Sequence, residues 1–313
     1  PTQLESYAKC PWAYFSGRLL RLDRLEDPDE EMDAATRGAL LHDALSRFFG
    51  HAATRVGSPV LLRAEHGSWV ATLAEQALDE TLQDSRGKRW LGSDLLLGPK
   101  RLELRRILLG YLEWELKENE KMFAKGRGSK AGRVRTGVKS HEEALGEIEF
   151  ERDGIKIRFR GYVDRVEVGV DDRFKSGEYL AAVDYKTTKW SCPGKGDKGA
   201  WEDGVVLQVP LYAYALASKN PGTRAVRVEY RALKKPETVH SLELFTVNKL
   251  GQAEADAEAV MKMDNALKRV VHHVRTARSG EFPVLPAPSC KCPSFCHSLE
   301  ICRVPGGPDT GGW

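Results

Sequence analysis

The sequence predicts an α/β fold, a sheet core with helical additions, and three observations carry that prediction. Residues 144–151, 156–168 and 179–186 are rich in β-branched and aromatic residues, with turn residues such as Gly169, Asp171, Asp172, Ser176 and Gly177 between the last two runs. Elsewhere apolar residues recur at helical spacing, as Leu41, Leu45, Phe48 and Phe49 do. The order is helix, strands, helix, strand, which is the order of an α/β chain.

Taken from the start, Thr2-x-x-Glu5 reads as a capping box opening a helix that runs through Ser6, Tyr7 and Cys10. An acidic linker with Pro28 spans residues 23–33, and Thr36-Arg37-Gly38 leads into the helix that carries His42. Residues 62–83 and 100–122 read as two more amphipathic helices, so that 51–140 forms a helical insertion ending in a basic loop. After the three strands, a glycine-rich loop at 191–204 precedes a helix near 206–218. Two further strands are expected at 226–233 and 241–247. A long helix follows at 253–278, stopped by Gly280 and Pro283. There is no internal repeat and no G-x-x-x-x-G-K-[ST], so no motif of an ATP-driven motor.

Composition bounds the function. With 313 residues, 41% hydrophobic and 30% charged, the chain has the make-up of a soluble globular protein. No apolar run reaches membrane-span length and no signal peptide precedes Pro1, so no membrane is expected and the location expected is cytoplasmic. A net charge of +3 decides nothing, but its distribution is informative. Residues 121–139 carry seven Lys/Arg, four glycines and no acidic residue, the make-up of a solvated loop that can also hold phosphates without reading sequence.

The most informative pattern is Asp164 followed by Asp184-Tyr185-Lys186. Residues two apart on a strand share a face, so Asp184 and Lys186 project together, and a hairpin would bring Asp164 to them. Two carboxylates gather a hard divalent cation through oxygen, and a nearby ammonium can orient a water beside it. That is equipment for phosphodiester hydrolysis. An ordinary hairpin salt bridge has the same residues. Against it, Asp184 follows the apolar run Ala181-Ala182-Val183, where an unpaired carboxylate is costly. His42 lies beside an apolar face and alone reads as a core or surface histidine; with the two aspartates it becomes a third ligand acceptable to Mn²⁺. Gln208 and Tyr212, four apart on one helical face, can turn toward one site or simply pack.

Together these residues resemble the RecB-like branch of the PD-(D/E)XK nuclease superfamily, and within it the iron–sulfur nuclease domain of AddB-type helicase–nuclease subunits. Four segments carry the likeness: Ser6-Tyr7-Ala8-Lys9-Cys10-Pro11-Trp12-Ala13-Tyr14-Phe15; Arg37-Gly38-Ala39-Leu40-Leu41-His42; Gly161-Tyr162-Val163-Asp164-Arg165 with Val183-Asp184-Tyr185-Lys186; and Gln208-Val209-Pro210-Leu211-Tyr212. The resemblance implies a single nuclease domain over 1–313, with a restriction-endonuclease-like core in which helices flank a central mixed sheet. It implies that His42, Asp164, Asp184 and the Tyr185 carbonyl hold Mg²⁺ or Mn²⁺, that Lys186 positions water or neutralises phosphate, and that Gln208 and Tyr212 steady the site or touch DNA.

Six cysteines fall at Cys10, Cys192, Cys290, Cys292, Cys296 and Cys302. In the resembled family one N-terminal cysteine joins three C-terminal ones, spaced C-x2-C-x5-C, around a [4Fe–4S] cluster. Cys296 and Cys302 fit that spacing, whereas Pro293 stands where the pattern has a cysteine. The expected ligands are Cys10, Cys292, Cys296 and Cys302, with Cys290 as a substitute and zinc as the alternative metal. The lobe of 1–16 and 288–303 would then be clamped by the cluster, a structural role, and Cys192 would be a free thiol. The activity implied is a metal-dependent, exonuclease-like deoxyribonuclease acting on single-stranded DNA or DNA ends in double-strand break repair, beside a helicase domain or subunit. Trp190 and Trp201 are candidate base platforms. Two alternatives stay open: a nuclease-derived iron–sulfur module that binds DNA or a partner without turnover, and a CRISPR-adaptation nuclease.

Overall fold

A computed structural model describes residues 2–22, 32–124, 134–170, 178–188, 204–223, 225–247 and 253–284, with Cys296, Ser298 and Cys302. Helix α1 (Thr2–Lys9) is followed by the short α2 (Pro11–Tyr14), whose N-cap is Cys10, and by a π-helical turn at Phe15–Leu19. Helix α3 (Ala34–Val56) starts where the Asp33 carboxylate accepts from the Thr36 amide at 2.6 Å. Helices α4 (Gly67–Ser85) and α5 (Asp94–Ala124) pack with it.

Five strands follow in one mixed sheet: β1 (Thr136–Arg152), β2 (Ile155–Gly169), β3 (Tyr179–Lys186), β4 (Ala225–Ala232) and β5 (Glu237–Glu243). The sheet order is β1-β2-β3-β4-β5, antiparallel throughout except for the parallel β3–β4 pair. Helix α6 (Gln208–Lys219) lies between β3 and β4 in the chain, as a parallel crossover requires. A small β6–β7 pair (Phe245–Val247, Ala253–Ala255) precedes α7 (Ala257–Arg278).

Both faces of the sheet are covered, so β3 reads as an apolar run rather than an alternation. Leu180 and Ala182 pack with Val206, Val209 and Leu211 around α6 and with Val270 of α7. Val183 and Tyr185 join Leu41, Leu45, Phe48 and Leu108 on the side of α3, α4 and α5.

Several expected boundaries move for identifiable reasons. β1 begins at Thr136 because its first residues pair with Val168 and Gly169, and two bulges break the alternation that a strand is read from. Helix α4 starts at Gly67, not at residue 62, because Val60 makes a bridge with Val138. Residues 253–255 pair with β6 before α7 begins at Ala257. The 241–247 run is split between β5 and β6.

Behind the site-bearing strands lies a buried ion cluster that composition did not signal. Arg165 bonds both Glu115 oxygens (2.7 and 2.8 Å) and lies 2.6 Å from Glu167. Arg231 reaches Glu167 (2.9 Å) and Glu229 (2.6 Å), and Arg227 reaches Glu167 (3.2 Å) and Glu229 (3.4 Å). All six charges are buried. Their mutual pairing offsets a desolvation penalty of several kcal/mol per ion. Burial opposes the charged form of Glu167, but the three arginines win and hold its carboxyl far below the carboxylate range.

Candidate active site

β2 and β3 pair only from Arg165↔Val183 to Val168↔Leu180. Asp164 and Asp184 occupy the positions just past the last pair, so the two carboxylates stand where the strands part. The backbone amide of Tyr185 donates to Asp164 Oδ2 at 2.7 Å and fixes that carboxylate across the gap. His42 arrives from α3, with Nδ1 3.4 Å from Asp164 Oδ2. One turn earlier on α3, Gly38 faces Thr187 just beyond β3, where an added Cβ would lie 3.5 Å from the threonine hydroxyl oxygen. Lys186 forms an ion pair with Asp184, approaches Gln208 Oε1 at 3.4 Å and lies 5.2 Å from the Tyr230 ring centre. Gln208 in turn hydrogen-bonds the Tyr212 hydroxyl.

The sequence reading missed one neighbour. Glu142, at φ 48°, offers an oxygen that lies with donor atoms of His42 and Asp164 within 4.8 Å of one another. Two adjacent glutamates in a run read as pre-strand loop gave no sign that one would turn inward. The turn depends on a left-handed residue in an irregular stretch of β1, and residue type does not reveal it.

Electrostatics follow from burial and neighbours. Desolvation lifts Asp184 to about 6, opposed by Lys186 and reinforced by Asp164. Burial lowers His42, but the hydrogen bond and charge of Asp164, with Asp184 behind it, outweigh this and leave the imidazole above its ordinary 6.5. Burial also lowers Lys186, and the Asp184 carboxylate overcomes it and keeps the ammonium charged. Burial first, then Asp164, raises Glu142. Closely set acids that resist joint ionisation in a cleft are the condition a cation relieves. The donor set of carboxylates and an imidazole suits Mg²⁺ or Mn²⁺.

The six predicted residues His42, Asp164, Asp184, Lys186, Gln208 and Tyr212 line one cavity of about 1100 Å³. Its far wall includes α1. There Glu5 does something other than cap its own helix: Oε1 accepts from the Leu207 and Gln208 amides at 2.7 and 2.8 Å, closing the N-terminus of α6. This partner lies 202 residues away and has no local signature.

Of the cysteines, Cys10, Cys296 and Cys302 are described; Cys192, Cys290 and Cys292, like Trp190, Trp201 and residues 125–133 of the basic loop, lie outside the described residues. Burial raises the Cys10 thiol, with Cys296 and Cys302 adding to the rise, against hydrogen bonds from Ala13 and Trp12. The two ends of the chain also meet through Ser16 and Ser298, whose hydroxyl oxygens are 2.5 Å apart.

A mixed sheet that opens to present two aspartates and a lysine beside a histidine is the frame of a metal-dependent hydrolase. The chain belongs to the PD-(D/E)XK nuclease superfamily, whose family profile matches residues 1–303. No curated protein matches the sequence. Among solved structures, a protein of Eubacterium rectale provisionally described as an exonuclease is similar, with a TM-score of 0.33 and 13% identity over 91% of this chain and 96% of that one. No helix among the described residues is long and apolar enough to cross a membrane.

Proposed function

We propose that this nuclease is a metal-dependent deoxyribonuclease of exonuclease type whose centre is formed by His42, Asp164, Asp184, the Tyr185 carbonyl and Lys186. The observation that carries the reading is the convergence of an α3 imidazole, a β2 carboxylate and a β3 Asp-x-Lys at the parting of two strands. Glu142 joins the proposed ligands on its proximity to His42 and Asp164. Bound Mg²⁺ or Mn²⁺ supplies acidification of the attacking water and stabilisation of charge on the phosphoryl oxygens. The remaining work falls to the chain. Tyr185 N–H holds Asp164 in place. Asp184 and Gln208 hold the Lys186 ammonium where it can neutralise a phosphate or orient water, and Tyr212 steadies Gln208.

The substrate proposed is single-stranded DNA or a DNA end. The proposed setting is break repair beside a helicase, and the motifs shared with AddB-type subunits support it. We assign Cys10, Cys296 and Cys302, with Cys292 or Cys290, to a structural [4Fe–4S] cluster; the mutual influence of the three described thiols supports a shared centre. The test is Mg²⁺-dependent cleavage of single-stranded DNA by the wild type and by Asp184→Ala. Loss of cleavage in the variant is expected, and equal activity in both would remove this site.

A further inference from the structure

The carboxylate–lysine cluster occupies one end of its cavity, and the cavity continues along β2. Asp164, Tyr162, Arg160, Arg158 and Lys156 take alternate positions on that strand, while the intervening Val163, Phe159 and Ile157 are buried. Alternate strand residues recur about every 6.5–7 Å, a stride comparable with that of an extended polynucleotide backbone. Tyr162 is 64% exposed, two residues from Asp164. Arg158 and Arg160 are 64% and 79% exposed. Among the described residues β2 pairs with β3 only from Arg165 onward, so on that side its edge over 155–164 opens to the cavity. Arg278 of α7 crosses to it, donating to the Lys156 carbonyl at 3.2 Å.

We propose that this row is the track by which single-stranded DNA reaches the catalytic cluster. Tyr162 is the platform for the base beside the cleaved bond, and Arg160 and Arg158 contact successive phosphates leading away from it. The proposal rests on the nuclease reading and deepens it. Single-strand binding of this kind couples an aromatic face to a cationic groove, and here both are continuous with the reacting groups. The arginines face Glu147 (3.0 Å from Arg160, 3.7 Å from Arg158) and Glu149 (3.9 Å from Arg158). Exposed pairs of this sort hold weakly in water, so a phosphate can take the place of a glutamate. The glutamates therefore act as resident competitors of the polymer.

The experiment measures binding of a fluorescein-labelled dT 20-mer to the full chain in EDTA, as a function of salt. Tyr162→Ala is expected to weaken binding about tenfold or more, the effect of one lost base stack, and Tyr162→Phe to retain it. Arg158→Ala with Arg160→Ala should lower the slope of log K against log salt by about 1.4, or about 0.7 per phosphate released. Glu147→Gln with Glu149→Gln should tighten binding several-fold, a gain that misfolding cannot produce. Wild-type affinity and slope in all of these variants would overturn the track. If the wild type cleaves DNA and Asp184→Ala does not, that outcome removes the track alone. Track variants that behave as expected, with no cleavage by the wild type in Mg²⁺ or Mn²⁺, would instead sink the hydrolytic reading.

Discussion

Replacing Glu5 by alanine tests how the amino-terminal helix holds the active site. In the wild type one buried carboxylate oxygen satisfies the amides of Leu207 and Gln208, at 2.7 and 2.8 Å, with Glu5 only 5% exposed. Alanine leaves both donors buried without an acceptor, at about 1–3 kcal/mol each. It also removes a negative charge from a helix N-terminus, worth up to about 2 kcal/mol in partly buried geometry. The expected loss is therefore about 3–6 kcal/mol, a large share of the 5–15 kcal/mol typical of a folded domain. Glu5→Gln keeps an acceptor and loses the charge, so about 1–2 kcal/mol is expected. Urea unfolding followed by circular dichroism reads both, and the midpoint for Glu5→Ala should fall by roughly 1 M or more with little change in slope. Gln208 is the residue whose side chain meets Lys186. Cleavage by Glu5→Gln should therefore drop at saturating substrate, measured under conditions where the variant remains folded. A Glu5→Ala chain that unfolds at the wild-type urea concentration would refute the assignment of Glu5 as the cap of α6.

Two other outcomes follow from the geometry. Asp184 titrates near 6 and His42 above 6.5, and a cation must displace both protons, so affinity is lost as pH falls through these values. At pH 5 Asp184 alone should cost Mn²⁺ binding about tenfold, with His42 adding to it; calorimetry in buffers of different ionisation enthalpy should show proton release near pH 6, and a flat affinity from pH 5 to 8 would contradict the assignment. Anaerobically purified protein should be brown and contain iron and sulfide, and Cys10→Ala should lose the colour; a colourless, zinc-loaded wild type would count against the cluster.

The legibility of this chain followed the locality of its physics. β3 was readable to its end residues, because Tyr179–Lys186 is an apolar run set off by turn residues before it. Asp184 and Lys186 came with it, since strand periodicity alone puts them on one face. His42, Gln208 and Tyr212 were readable as ligand and support only through their resemblance to a family pattern, as a histidine or tyrosine on a half-buried helix has many ordinary uses. Glu142 and Glu5 were not readable. One depends on a positive φ in a bulged strand, and the other on a partner brought near only by the finished fold. The start of β1 was hidden by its charged outer face and its bulges.

The six-charge network beneath β2 and β4 has a historical consequence. Glu167 contacts all three arginines, so neutralising any one position strands a charge in a dry interior, at about 3–5 kcal/mol. Wholesale exchange for apolar side chains of similar size carries no such penalty, because no ion is then left behind. Descendants of this chain could abandon the network in one concerted repacking far more easily than by single steps. Arg165 directly follows Asp164, so any such repacking would also have to find another way of seating the carboxylate next door.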